Sequence, residues 1–426
     1  MLEEEKILNE VDKMEDELVK FLVNLIKIPT ENPPGLNYPE IAEFIGRKMN
    51  ELGYEVEYVE VPIERFPELV PFAEPKYRRI NVIAREPKDR RRPVLHFNGH
   101  TDVVPAGSGW SVPPYEGLVR NEKVYGRGAS DMKSGIVAMI YAVEALRRAG
   151  YRLNGSVEFS FVVDEETTGV KNAGSYYLVE KGYISKDTID YIIITEPLNV
   201  DRVCIGHRGA IWWKLRIFGR QAHGSMPYLG VNAAYKAASL IHMIEHFLIP
   251  KLKERITKYN VVPEEAKKSS INLGVIRCGT KINTVPEECI LELDRRFPPE
   301  ENIDDVREEF IKILKALESI DHEFKYELQE IYYANPVIVP EDQLLVKVLE
   351  ESIREVLKTT PPKVLSPGTD DQRFFVINAG INSTAVYGPG RLELAHTVDE
   401  YIDIKDLING TKVLAIATAK LLGISY

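Results

Sequence analysis

The stretch PVLHFNGHTDVVP, residues 93–105, decides how this chain is read. It opens as a short, near-continuous apolar run of strand length, and VEFSFVV at 157–163 and YIIIT at 191–195 repeat the pattern. Strands apolar on both faces are expected where helices cover both sides of a sheet. A helical pattern over 131–149 separates the first two runs; helical patterns near 5–27 and 38–52, with strand patterns near 54–61 and 79–85, precede them. Residues 5–206 therefore read as a helix-flanked α/β sheet. Ligands of such sheets bind beyond the carboxyl ends of the strands, so the residues that follow each run become the candidates for chemistry.

Beyond 207 the order changes to strand 210–218, helix 231–249, strands 271–277 and 288–297, helix 302–319 and strand 323–331, which is the ferredoxin-like βαββαβ unit. From about 332 helices and short strands return, at 341–357, 362–365, 371–378, 382–386 and 404–421. The expected organisation is one α/β domain in two parts, 1–207 and 332–426, interrupted by an α+β insertion at 208–331. A length of 426 residues agrees, since single cores stop growing at roughly 250–300 residues. Pro62, Pro67, Pro71 and Pro75 mark a long loop before the strand at 79, with no role legible in the sequence.

Composition excludes several classes of function. A 44% apolar and 28% charged chain is globular, and a net charge of -11 opposes nucleic-acid phosphates and acidic membranes. No apolar stretch approaches the roughly 20 residues that span a bilayer. The acidic start MLEEEKILNEVDKMEDELVKFL lacks the form of an export signal, and a cytoplasmic location is expected. Cys204, Cys278 and Cys289, an odd number without CxxC spacing, predict neither a disulfide framework nor a thiolate metal site. Glutamine occurs only at 221, 329, 343 and 372 amid many charged residues, a balance associated with heat-adapted proteins.

His100 directly follows the first strand, and the His100-x-Asp102 spacing suits a metal ligand whose second ring nitrogen is held by a carboxylate. In YGRGASDMKSG, Asp131 stands at a loop-helix junction, where an ordinary helix cap is the competing explanation. FVVDEETTG ends a strand in Asp164, Glu165 and Glu166, like charges that repel unless a cation or solvent relieves them. YIIITEP ends another strand in Glu196, and LAHTVDE supplies His396. Together His100, Asp131, Glu165, Glu166, Glu196 and His396 form a nitrogen and oxygen donor set without thiolate, suited to zinc, cobalt or manganese. Five ligands would serve a metal pair sharing a bridging carboxylate, with the spare carboxylate as general base.

With these segments in view, GHTDVVP, GRGASDMKSG, DEETTG, ITEP, GTDDQRFF and AHTVDE make the chain resemble the co-catalytic metallohydrolases, the family of acetylornithine deacetylases, succinyl-diaminopimelate desuccinylases, aminoacylases and glutamate carboxypeptidases. The resemblance covers nearly the whole chain. It implies that Asp131 bridges two metals, that His100 and Glu196 complete one site and Glu166 and His396 the other, and that Glu165 is the base and Asp102 the orienter of His100. It also implies a catalytic domain interrupted by a lid that dimerises, with His223 of GRQAHGSMP serving the partner's site as oxyanion donor. In the lid Asn283 and Arg296 are implied substrate contacts; strand alternation places Arg296, rather than Arg295, on the face of Asp294. Arg373 in TDDQRFF suits a substrate carboxylate, and Arg208 in GHRGA is a further candidate. Desuccinylases usually carry an arginine pair followed by glycine and serine where His207, Arg208, Gly209 and Ala210 stand here, a departure that bears on succinyl-diaminopimelate specificity.

Two decoys are set aside. His242 to His246 read H-x-x-E-H, the inverted-zincin spacing, but on a helix of the insertion; no G-x-S-x-G exists for a serine hydrolase. The expected activity is hydrolysis of the amide bond of an N-acyl amino acid or small peptide with two divalent ions, zinc or cobalt. Carboxypeptidase or dipeptidase action is the alternative, and an inactive metal-binding regulator a remoter one.

Overall fold

The structure, a computed structural model, describes residues 4–71, 73–87, 90–167 and 169–425. Phe72 of the proline-rich loop and Thr168 of DEETTG lie outside the described residues. The chain divides into two compact units, one of Met1–Gly206, Val339–Val364 and Asp370–Tyr426, the other of His207–Ile338 and Leu365–Thr369.

The first unit is built on a mixed sheet. Strands Val94–His100, Ser156–Val162, Tyr191–Ile194 and Thr384–Val386 run parallel, with Val94–His100 central between Ser156–Val162 and Tyr191–Ile194. Ile80–Arg85 joins antiparallel to Ser156–Val162 and carries Glu55–Glu60 outside it. Every residue of Val94–His100 and of Ser156–Val162 is buried, which accounts for their near-continuous apolar pattern; among the polar exceptions, His96 and Asn98 both bond to the Ser160 hydroxyl. Because these strands are parallel and pair His100 with Val162 and Asn98 with Ile194, the segments after them emerge together at one sheet edge. Helices Lys133–Arg148 and Ile404–Leu422, both extensively buried, pack on each other.

The second unit is a four-stranded antiparallel sheet in the order Ser270–Cys278, Glu288–Phe297, Gly209–Phe218, Lys325–Ala334. With helices Ala233–Met243 and Ile303–Ile320 against it, it shares one core of Trp213, Leu215, Leu240, Leu291, Phe310 and Leu314. The last strand of this sheet, Lys325–Ala334, pairs along its length with Gly209–Phe218, three residues past the expected strand end at 331.

One expectation is corrected here. Cys278 and Cys289 form a disulfide, with Cα atoms 4.3 Å apart. The antiparallel register sets the two residues directly opposite each other, a proximity that cysteine spacing along the chain could not reveal. Cys204 is buried and takes no part in that disulfide. No described helix is long and apolar enough to cross a membrane.

Candidate metal centre

His100, last residue of its strand, is buried, and its Nε2 lies 3.1 Å from Asp131 Oδ1 and 3.5 Å from Glu196 Oε1. His396 approaches the same aspartate: its Nε2 is 3.4 Å from Asp131 Oδ2 and 3.0 Å from Glu166 Oε1. Asp131 thus turns one carboxylate oxygen toward each imidazole.

Local structure explains that placement. The helix begins at Lys133 with Met132 at its N-cap and no side-chain capping bond, so Asp131 is not a cap. The 127–131 loop is held instead by Glu400, a fully buried carboxylate whose Oε1 accepts from the Ser130 and Asp131 amides at 2.8 and 3.0 Å. Its Oε2 accepts from the Gly128 amide at 3.1 Å and from Arg127 Nη1 at 2.7 Å. Glu400 follows His396 by four residues, so one short segment delivers a ligand candidate and anchors the loop bearing Asp131. The helix also meets the end of the Tyr191–Ile194 strand closely. A Cβ on Gly135 would fall 2.0 Å from Thr195 O, so only glycine lets Asp131 and Glu196 share one site.

Asp102 does something the spacing did not suggest. The His100 Nδ1 hydrogen bond, at 2.9 Å, goes to the backbone carbonyl of Asp102, whereas the carboxylate oxygen stands 3.6 Å away. The carboxylate accepts instead from the amides of Glu165 and Glu166, at 3.3 and 3.1 Å, and from Asn32 Nδ2 at 2.8 Å. Asn32 also donates to Asp164 at 3.1 Å, and Asp164 receives Tyr38 Oη at 2.9 Å and Arg79 Nε at 3.1 Å. Asp164 has φ 60°, a left-handed conformation that aspartate tolerates better than most residues. Asn32, Tyr38, Arg79, Asp371 and Glu400 were given no role by sequence reading, and Asp164 was read only as one of three adjacent, mutually repelling carboxylates. They act through hydrogen bonds between segments distant in sequence; of their positions only the first of DEETTG, the last of AHTVDE and the second aspartate of GTDDQRFF fell within the motifs.

Burial dominates the electrostatics. It pushes Glu196 up to about 8 against the pull of His100, and together with the Glu196 charge it drives Glu165 well above the carboxylate range. Burial also raises Glu166 and Asp371. Asp131 behaves oppositely: burial disfavours its anion, but His100 and His396 outweigh that and hold it below its usual range. Hydrogen bonds to Asp131 and Glu166 lift His396 to about 10, and His100 rises through Glu196 and Asp131 despite burial. A cluster that retains protons on its imidazoles and carboxyls is one starved of positive charge. His100, Glu165 and Glu196, and likewise His100, Asp131 and Glu166, each offer a ligand atom within 4.8 Å of one another. Nitrogen and oxygen donors without thiolate fit divalent cations, whose binding would displace those protons.

In the second unit His223 is exposed on a turn, its Nδ1 2.7 Å from Ser225 Oγ and its backbone bridged to Thr284. Asn283 is exposed next to it, its carbonyl accepting from the Gly224 amide at 2.7 Å. Arg296 donates to Asp294 at 2.8 Å, and Arg295 points into the core toward Glu301. Arg208 is buried, donating to Lys268 O at 2.9 Å; burial, then Arg296 and Arg295, bring its pKa down to about 10. A guanidinium desolvated beside other guanidiniums is a place where an anion is welcome. In the first unit Arg373 is buried, donating to Gly169 O at 3.2 Å and lying over the Phe374 ring. His242, Glu245 and His246 are exposed; the two imidazole centroids are 4.4 Å apart and His246 Nε2 is 3.8 Å from Glu245 Oε2, but among the described residues they do not form a group of three converging metal-ligand atoms.

The family model described as Peptidase family M20/M25/M40 matches residues 96–420. The chain belongs to this family. It is a metal-dependent hydrolase of N-acyl amino acids or small peptides. Among curated relatives, a succinyl-diaminopimelate desuccinylase of Thioalkalivibrio sulfidiphilus is 30% identical over 323 residues, 74% of this chain and 80% of its own. Among solved structures, human carnosine dipeptidase 1 superposes with a TM-score of 0.79 at 20% identity, covering 99% of each chain. The M20 metallo-carboxypeptidase Sso-CP2 of Sulfolobus solfataricus gives 0.74 at 21% identity, covering 94% of this chain and 98% of its own. These two likenesses establish the shared mixed α/β fold.

Proposed function

We propose that the protein is a dinuclear deacylase, cleaving the amide bond of an N-acyl amino acid to release a carboxylic acid and an amine. The observation that carries this is the Asp131 carboxylate, which faces an imidazole with each oxygen, flanked by Glu196 on one side and Glu166 on the other. His100, Asp131 and Glu196 would hold one divalent ion and Asp131, Glu166 and His396 the second, zinc or cobalt; such ions polarise a carbonyl and acidify water. Glu165 takes a proton from the attacking water and delivers it to the leaving nitrogen. Support comes from the Glu165 carboxylate, an oxygen of which lies within 4.8 Å of the His100 and Glu196 ligand atoms. Asp102 positions both neighbours through their amides. Arg373, Arg208, Arg296 and Asn283 are assigned to the substrate, the arginines to a carboxylate.

Glu165→Gln tests the central assignment. Turnover should fall by about 10²–10⁴ while metal content holds, because the base is not a ligand; unchanged turnover would remove Glu165 from the role. A screen of acetyl-ornithine, succinyl-diaminopimelate, other acyl amino acids and dipeptides, with zinc or cobalt added, separates deacylation from peptide cleavage. GTDDQRFF favours deacylation, and the departure at His207 to Ala210 argues against succinyl-diaminopimelate.

We further propose a homodimer through the second unit in which His223 donates to the oxyanion of the opposite subunit. Its exposed ring, held by Ser225 with no carboxylate beside it, supports that reading. Mixing His223→Ala with Glu165→Gln protein should restore part of the activity once subunits exchange; exchange without recovery overturns it. The location proposed is cytoplasmic. The Cys278–Cys289 bond is then of the kind that intracellular proteins of hyperthermophiles carry, in keeping with the scarce glutamine.

A further inference from the structure

The proline-rich loop has so far no part in the chemistry, yet it is firmly built. Its helical turn Phe66–Leu69 buries Phe66 and Leu69 among Val59, Val61 and Ile83. The chain after that turn, Leu69, Val70, Pro71 and Ala73, lines a cavity of about 140 Å³ together with Pro33 and Pro34. Glu166 and Thr167 also line it, so the cavity and the metal centre share Glu166.

The remaining lining residues are polar but already committed. Arg79 donates from Nε to Asp164, from Nη1 to Tyr77 O and from Nη2 to Pro34 O. The Asn32 amide is divided between Asp102 and Asp164, and the Thr167 hydroxyl donates to Asp164 O at 2.8 Å. Of the rest of the lining, Glu166 turns a carboxylate oxygen to His396, and the remaining wall is proline, leucine, valine and alanine carbon. A dry apolar cavity of roughly 150 Å³ accommodates a benzene ring, so this one matches a phenyl group or a branched chain of about four carbons.

We propose that this cavity is a substrate subsite that takes a phenyl-sized hydrocarbon group carried by the amide substrate, with the proline-rich loop as its wall. The proposal rests on the hydrolase reading above and adds the substrate's apolar character to it. Two parts of an acyl amino acid could supply the group, the acyl chain or the amino-acid side chain, and the chemistry of recognition is the same for both.

The test uses two series on the metal-loaded enzyme: acetyl-, butyryl-, isovaleryl- and benzoyl-alanine for the acyl end, and acetyl-alanine, -valine, -leucine and -phenylalanine for the side-chain end. In one series kcat/KM should climb about tenfold or more, since a single well-placed methylene discriminates by about 10–200-fold. The series that climbs identifies the end that enters. Ala73→Leu, which fills the cavity, should abolish the climb while leaving the smallest substrate's kcat/KM, the metal content and the melting midpoint nearly unchanged. Val70→Ala, which enlarges it, should move the preference to a larger group. Affinities of the same compounds for metal-loaded Glu165→Gln protein, measured by calorimetry, should repeat the order without turnover. Flat series in both turnover and binding overturn the subsite, as does a climb that persists in Ala73→Leu. Wild-type enzyme that binds the series in the expected order but hydrolyses none of it overturns the deacylase reading and leaves the subsite standing.

Discussion

Replacing Arg79 by methionine tests the support beneath the metal centre. Arg79 and Asp164 are an ion pair at 3.1 Å with side chains only 1% and 0% exposed, so solvent cannot screen the loss. Methionine keeps an unbranched apolar stem in place of the arginine's, but loses the guanidinium, whose carbon lies 5.5 and 5.3 Å from the Tyr38 and Phe66 ring centroids. The guanidinium goes, leaving Asp164 buried without its cation and the carbonyls of Pro34 and Tyr77 without a charged donor. Breaking one side of such a pair costs about 3–5 kcal/mol. At about 2–4 °C per kcal/mol for a large domain, a loss near ~4 kcal/mol lowers the melting midpoint by roughly 8–16 °C. Measurement belongs in chelator, because metal bound to the neighbouring Glu166 would add its own binding energy to the apparent stability. The double variant Arg79→Met with Asp164→Asn removes the orphan charge; asparagine tolerates the left-handed backbone and can still accept from Tyr38. It should be more stable than Arg79→Met alone, giving a coupling energy of about 1–3 kcal/mol in a double-mutant cycle. A single-variant loss under about 1 kcal/mol, or a double variant no better than the single, refutes the reasoning.

Other perturbations follow from the same geometry. Asp102→Asn must turn an amide N–H toward the Glu165 or Glu166 amide, so metal affinity should drop about 10–100-fold by competition with a chromogenic chelator, with the fold retained. Glu400→Gln should act likewise by loosening the Asp131 loop, and unchanged affinity in both would show that neither carboxylate orders its loop. Acid should destabilise the first unit through His96 and Glu158. Burial lowers His96; Glu158, which burial alone would raise, is held below its usual range by His96 and Arg90, with Arg85 also close. In both cases the unfolded chain binds more protons, so stability is full above about pH 6.5 and declines as pH falls, first through His96 and below about 4.3 through Glu158. Glu158→Gln should flatten the lower part of that decline in melting scans between about pH 7 and 3; an unchanged slope would exclude the pair. Peptide mapping of unfolded protein without reductant should recover Cys278 joined to Cys289 and Cys204 as the alkylated thiol, whereas alkylation of all three cysteines would contradict the register.

The ligand candidates were legible in the sequence because strands buried on both faces must be continuously apolar, and in a parallel sheet the residue after each run emerges at the functional edge. His100, Glu165, Glu166 and Glu196 follow from that rule, and the βαββαβ order of the second unit follows from alternating periods. Contacts without local periodicity stayed hidden. Nothing near Asn32, Arg79 or Glu400 in the sequence says which backbone amides they will hold, and Asp102 was assigned to His100 by spacing when its carboxylate serves the Glu165–Glu166 turn. The disulfide was invisible for the same reason, since strand register, not cysteine spacing, opposes Cys278 and Cys289. Sequence pattern determines which residues a strand buries and what it carries at its end; hydrogen-bond direction and cavity shape depend on which distant segments meet. The proline-rich loop, mute as sequence, becomes the wall of a cavity only when it folds against Pro33 and Pro34.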